Sequence, residues 1–204
     1  MSLRIFPVLG GSTYTAEFYP QAIYGSDGKL KQRQHLGIDL FAPGGTPLLA
    51  TDDGVVSLGT DGFGGNVAVL RAADGALYYY AHLSEFPRGA GPGSQLSVRA
   101  GDVVGYVGNT GNARGGPTHS HFEVHVGPMG AVPGGPFGGM QAVDPYAMLR
   151  AAEVRRPVGS AGALADLGRY VAPAAVALAL GGVAWWLVSG APMPRLPVRG
   201  KVGT

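Results

Sequence analysis

Strict alternation of polar and apolar residues marks the centre of this chain. In Thr118-His119-Ser120-His121-Phe122-Glu123-Val124-His125-Val126 it throws His119, His121, Glu123 and His125 onto one face of a strand. Phe122, Val124 and Val126 go to the other face, toward a core. The same period appears earlier, where Leu36, Ile38 and Leu40 alternate with His35, Gly37 and Asp39. Gly37 and the stop at Pro43-Gly44-Gly45 favour a strand there over a helix, so an imidazole and a carboxylate share one strand face.

Further short strands are predicted at 54–58, 66–70, 76–82 and 103–108, with Asp74-Gly75 as a tight hairpin turn. Along 76–82, alternation puts Tyr78, Tyr80 and His82 on a common face, His82 at the strand's end. Residues 1–33 read as a lead-in arm of scattered aromatics (Phe6, Tyr14, Phe18, Tyr19, Tyr24) with a turn at Gly25-Ser26-Asp27-Gly28. Gly/Pro-rich loops cover 86–95 and 127–139. Asp144-Pro145-Tyr146-Ala147-Met148-Leu149 reads as an N-capped short helix with proline in its first turn.

Composition supports a mainly β fold, a small antiparallel sheet or sandwich. Gly 36 and Pro 16 favour many strands and turns, while 46% hydrophobic residues provide enough material for a core. With no cysteine, a metal site must be built from histidines and carboxylates. The net charge of +2 is mild and the basic residues are scattered rather than banded, which argues against a nucleic-acid partner.

Four of the five histidines that this composition offers lie on three separated segments beside glycine-rich turns. Imidazoles two residues apart on a strand are close enough for one to hold a metal while its neighbour handles a proton. Taken together, His35-Leu36-Gly37-Ile38-Asp39, the turn at 50–54, Gly65-Asn66-Val67-Ala68-Val69, Tyr80-Ala81-His82-Leu83-Ser84, 98–105 and His119-Ser120-His121-Phe122-Glu123-Val124 occur in a telling order. The arrangement resembles the lysostaphin-type, or LytM-like, zinc metallopeptidases, which are peptidoglycan endopeptidases. The resemblance runs from about residue 34 to 149.

That resemblance implies one zinc ion held by His35, Asp39 and His121, with His82 and His119 as the catalytic pair. Three protein ligands leave a fourth tetrahedral position for water, as a catalytic site requires. No His-Glu-x-x-His helix supplies a glutamate base, so the two spare imidazoles must handle the protons. The implied substrate is the peptide cross-links of bacterial cell-wall peptidoglycan. Ser120 stands where the family usually has leucine, and its side chain should point away from the metal as a packing change only. His125 occupies a position more often basic or polar in the family and is expected to be a bystander rather than a ligand. Glu123 is either an acceptor behind the ligands or a solvated residue.

The C-terminal region differs, since no charged residue occurs between Arg169 and Arg195. About eighteen apolar residues at about 1.5 Å rise reach roughly 27 Å, so Tyr170 to Val188 is predicted to be a single membrane-spanning helix. Tyr170 and Trp185-Trp186 would lie at the two interfaces. Arg195, Arg199 and Lys201 would hold the tail inside and leave the peptidase facing the wall.

The expected organisation is therefore an arm (1–33), a metallopeptidase domain (34–150), a linker (151–169), a transmembrane helix (170–189) and a basic tail (190–204). The N-terminus lacks the long apolar run of a secretory signal. An enzyme carried in the membrane of a membrane-containing bacteriophage would reconcile that with a wall substrate. Two competing readings are a non-catalytic relative that binds wall or activates a hydrolase, and a structural membrane protein of a virion.

Overall fold

The computed structural model describes residues 2–32, 34–129 and 136–154. Its strands are β1 (Ile23–Tyr24), β2 (Leu30–Gln32), β3 (Gly37–Phe41), β4 (Pro47–Leu49), β5 (Gly54–Asp61), β6 (Gly65–Ala72), β7 (Leu77–Leu83), β8 (Gln95–Val98), β9 (Val103–Tyr106), β10 (His119–Val126) and β11 (Gln141–Val143). A single helical turn, Pro136–Gly139, is broken by positive φ at Phe137 and Gly138. The chain's longest described helix is α1, Tyr146–Val154. All strand pairings are antiparallel, as the alternating pattern requires.

The main sheet has seven strands in the order β11-β10-β7-β6-β5-β8, with β3 also paired to β10. The strand carrying most of the histidines is thus held on both edges. His121 lies opposite Asp39 on β3, and Phe122 opposite Tyr80 on β7. Its apolar face enters a core with Ile38, Leu40, Tyr78 and Tyr80, all wholly buried. Leu149 and Ala152 of α1, and Leu3, Phe6 and Val8 from the first residues, join the same core. The start of the arm is therefore anchored, with Val8 bridged to Leu48.

One departure from regular alternation matters for the site. Between β6 and β7 the register runs Asn66 to Leu83 and Ala68 to Tyr80, so β7 carries an extra residue. His82 sits in this irregularity with φ +64°, a left-handed backbone conformation that a non-glycine residue adopts only when its surroundings enforce it. The enforcement is visible, since His82 N–H donates to Gly64 O at 2.7 Å. The bulge overturns the expected common face of Tyr78, Tyr80 and His82. Tyr80 remains in the core, and His82 turns out into a groove lined also by Tyr79 and Ala81.

The expected membrane helix is also corrected. Among the described residues no helix is long and apolar enough to cross a membrane, and α1 has only nine residues. The 170–189 stretch lies outside the described residues, as do the tail at 190–204 and most of the 151–169 linker. Apolar length is necessary for a span but does not itself make a helix, and Pro173 and Gly181-Gly182 inside this stretch all lower helix propensity. Membrane anchoring, a bilayer partner, a virion membrane and a single-pass location consequently drop out of the functional reading.

Tyr80 provides a test of how the core is fixed. Its hydroxyl donates to Leu49 O (3.0 Å) and accepts from Thr51 N–H (3.1 Å), with Thr51 Oγ1 at 3.2 Å. Tyr80→Phe leaves buried backbone groups without these partners and should cost about 1–3 kcal/mol. Urea unfolding should show a lower midpoint at unchanged slope, whereas an unchanged midpoint would show that the hydroxyl contributes nothing.

Candidate metal centre

Strand pairing brings two of the three predicted ligands together, and the arm places the third. His121 on β10 and Asp39 on β3 are directly opposed, while His35 precedes β3 and is bridged to Tyr19 of the arm. Donor atoms of His35, Asp39 and His121 all lie within 4.8 Å of one another. Asp39 Oδ1 is the meeting point, 2.9 Å from His121 Nδ1 and 3.2 Å from His35 Nε2. His35 Nδ1–H donates to Glu17 O at 2.7 Å, which aims Nε2 at the carboxylate. Two imidazole nitrogens and one carboxylate oxygen, without thiolates, suit zinc with an open coordination position, so the residues present fit a single Zn2+.

Electrostatics fit the same purpose. Burial works to raise the Asp39 carboxyl, but hydrogen bonds from His121 and His35 outweigh it and hold the group well below the usual carboxylate range. Burial likewise opposes charge on His121, yet the Asp39 and Glu123 carboxylates push it up to about 9. The hydrogen bond to Asp39 raises His35 as well, against its burial. Without metal, therefore, protons on imidazole balance the buried carboxylate, and a cation would take their place.

His82 and His119 complete the cluster, their ring centroids 4.9 Å apart. His82 Nδ1–H donates to Thr110 O and His119 Nδ1–H to Pro117 O, both at 2.9 Å. His119 Nε2 stands 3.8 Å from Asp39 Oδ2. All five groups line one groove of about 580 Å³. Burial and neighbouring His119 pull His82 below the ordinary imidazole range.

The structure also brings in residues that alternation did not mark. Asp61 accepts from the Phe63 and Gly64 N–H groups and from the Tyr79 hydroxyl (2.7 Å), and this turn sets Phe63, 79% exposed, at the groove. Asn112 faces it from the loop before β10. Gly37 is a matter of space, since a Cβ there would stand 2.9 Å from both His121 Nε2 and Glu123 Cγ. Ser120 is buried on the core side, away from the metal donors. Glu123, left open by the sequence, bonds to His121, and His125 lies outside the cluster of donors.

Comparison with known proteins agrees with this arrangement. The model of peptidase family M23 matches residues 33–145, more than half of the chain. The chain belongs to peptidase family M23. Over 95 residues this M23 chain is 43% identical to the DD-carboxypeptidase/endopeptidase Mpg of Neisseria meningitidis, covering 46% of the chain and 20% of that protein. It is 33% identical over 113 residues to the peptidoglycan DD-endopeptidase ShyC of Vibrio cholerae, covering 55% of the chain and 24% of ShyC. The chain thus spans about a fifth to a quarter of the length of these relatives. In structure it resembles the antimicrobial peptidase lysostaphin from Staphylococcus simulans, with a TM-score of 0.51 at 25% identity, covering 79% of this chain and 59% of lysostaphin.

The elevated His121 pKa generates a prediction with a definite sign. A proton must leave His121 before its nitrogen can bind metal, so zinc affinity rises with pH up to about 9. The gradient from this one proton is roughly tenfold per pH unit between neutrality and that value. Chelator-competition titrations should show the rise, and a flat profile over the interval would show that His121 is already neutral. Asp39→Ala removes the central donor and should abolish stoichiometric zinc in metal analysis.

Proposed function

We propose that this M23 chain is a zinc-dependent endopeptidase that hydrolyses peptide cross-links of bacterial peptidoglycan. The observation that carries the reading is the convergence of a His-Asp-His donor set and two further imidazoles on one open groove. The names of Mpg and ShyC, both endopeptidases and the latter of peptidoglycan, support the substrate class. A non-catalytic wall-binding role is less well supported, because all three donors and both additional histidines remain in place.

Zinc held by His35, Asp39 and His121 would supply Lewis acidity toward the scissile carbonyl and lower the pKa of water. The chain's own contribution is proton handling. With Nδ1–H of His82 and His119 given to backbone carbonyls, the neutral form of each ring carries its lone pair on Nε2. One imidazole takes a proton from the attacking water. The other, in its form protonated on Nε2, stabilises the developing negative charge and gives that proton to the departing amine, and the proton taken from water restores the pair. Burial keeps His82 neutral at ordinary pH and so suits it to accept.

Incubating the full chain with purified peptidoglycan and analysing the products by mass should reveal cleaved cross-links with new amine and carboxylate ends. Chelation should stop the release. His82→Ala and His119→Ala should keep zinc while turnover falls by roughly 100- to 10,000-fold. Intact cross-links with the zinc-loaded wild type would sink the proposal, and loss of zinc in either variant would make that histidine a ligand.

A further inference from the structure

Glu123 and His125 lie on the metal-bearing face of β10 but have no part in the chemistry above. His125 is wholly buried and meets the Phe137 ring edge-on at 4.7 Å between centroids. Its Nε2 is 2.6 Å from Glu123 Oε2, and the other carboxylate oxygen, Oε1, is 2.8 Å from His121 Nε2. Glu123 is itself mostly buried, its side chain 12% exposed. One carboxylate therefore bridges two imidazoles of the same strand face, one a metal donor and one sealed away from solvent.

We infer that Glu123 is a positioning residue for the metal centre, and that His125 holds Glu123 in place. A neutral imidazole has one N–H and one lone pair, and its partner selects which nitrogen carries which. Glu123 Oε1 accepts from His121 Nε2–H, so when His121 gives up a proton to a metal ion it is the Nδ1 proton, and the lone pair appears on the nitrogen that faces Asp39. His125 Nε2–H donates to Oε2 and stops the carboxylate from swinging away. In neutral His125 this leaves only a lone pair on Nδ1, a buried atom without a partner among the described residues. An unpaired acceptor there spares the chain an unpaired buried N–H.

Space around the bridge is reserved as well. Glu123 is paired with Gly37 on β3 and with Tyr79 on β7. A Cβ at Gly37 would press first on the Phe122 carbonyl and also on His121 Nε2 and Glu123 Cγ, each 2.9 Å away. Carboxylates that bond to the second nitrogen of a metal-binding histidine fix its ring and tautomer, and their loss typically costs 10- to 100-fold in metal affinity.

The inference rests on the zinc site of the proposed function, but it is read out without peptidoglycan. Zinc affinity of the full chain is measured by chelator competition in wild type, Glu123→Ala, Glu123→Gln and His125→Gln. Glu123→Ala should weaken zinc roughly 10- to 100-fold. Glu123→Gln retains a carbonyl oxygen for His121 Nε2–H and should recover most of that loss, while His125→Gln, still able to donate to Glu123, should fall between. In NMR spectra of the zinc-loaded protein, a hydrogen-bonded, exchange-protected Nε2–H resonance of His121 should appear in wild type and Glu123→Gln and vanish in Glu123→Ala. Unchanged affinity in Glu123→Ala, or a loss in Glu123→Gln as large as in Glu123→Ala, overturns the inference. Failure to cut peptidoglycan with these affinities as expected would count against the proposed function alone.

Discussion

Asp39 is a largely buried carboxylate against which three imidazoles are placed, two within hydrogen-bond distance and a third, His119, at 3.8 Å. A carboxylate removed from water must be neutralised or paired. Among the described residues no lysine or arginine lines the groove, and histidine is the one cationic partner that can give up its charge at physiological pH. The same carboxylate can therefore be balanced in two ways, by protonated imidazoles or by a divalent cation. An ammonium or guanidinium partner would have satisfied Asp39 permanently and closed the site to metal.

Positioning of that carboxylate follows from the sheet. β10 is clamped between β3 and β7, and its apolar side locks Phe122 against Tyr78 and Tyr80 at ring separations of 6.3 and 5.2 Å. Tyr80 in turn ties the sheet to the 49–51 segment through its hydroxyl. Rigid packing on one face fixes the direction of every second side chain on the other, so donor spacing is set by strand register rather than by loop conformation. His35 is the exception. It lies ahead of β3, and the Glu17 carbonyl from the arm aims it.

What was legible in the sequence follows the same division. Period-two alternation identified β3 and β10 and the shared face of His35 and Asp39, because regular strands obey it. His82 was named by the family resemblance but misdirected by alternation, since an extra residue in β7 and a positive φ cancel the period at one position, and no turn residue announces a bulge held by Gly64 and Thr110 from elsewhere in the chain. Phe63 and Asn112 belong to loops, whose direction periodicity does not encode. His125 was visible on the correct face, but its partner depended on depth of burial, which one strand cannot reveal.

The partners of the four groove histidines separate their roles more sharply than distance does. His82 and His119 each give Nδ1–H to an uncharged backbone carbonyl, which fixes the ring and its tautomer. Nε2 is the nitrogen left on each ring for the proposed proton transfers. His121 faces carboxylates on both nitrogens, and His35 faces one carboxylate and one carbonyl. Rings so placed favour positive charge, whether a proton or a metal ion supplies it. His121 and His35, hydrogen-bonded to carboxylate, thus suit the proposed metal site, and His82 and His119, held at Nδ1 by carbonyls alone, suit the proposed proton handling. The strand alternation that puts Glu123 beside His121, and not beside His119, maintains that distinction.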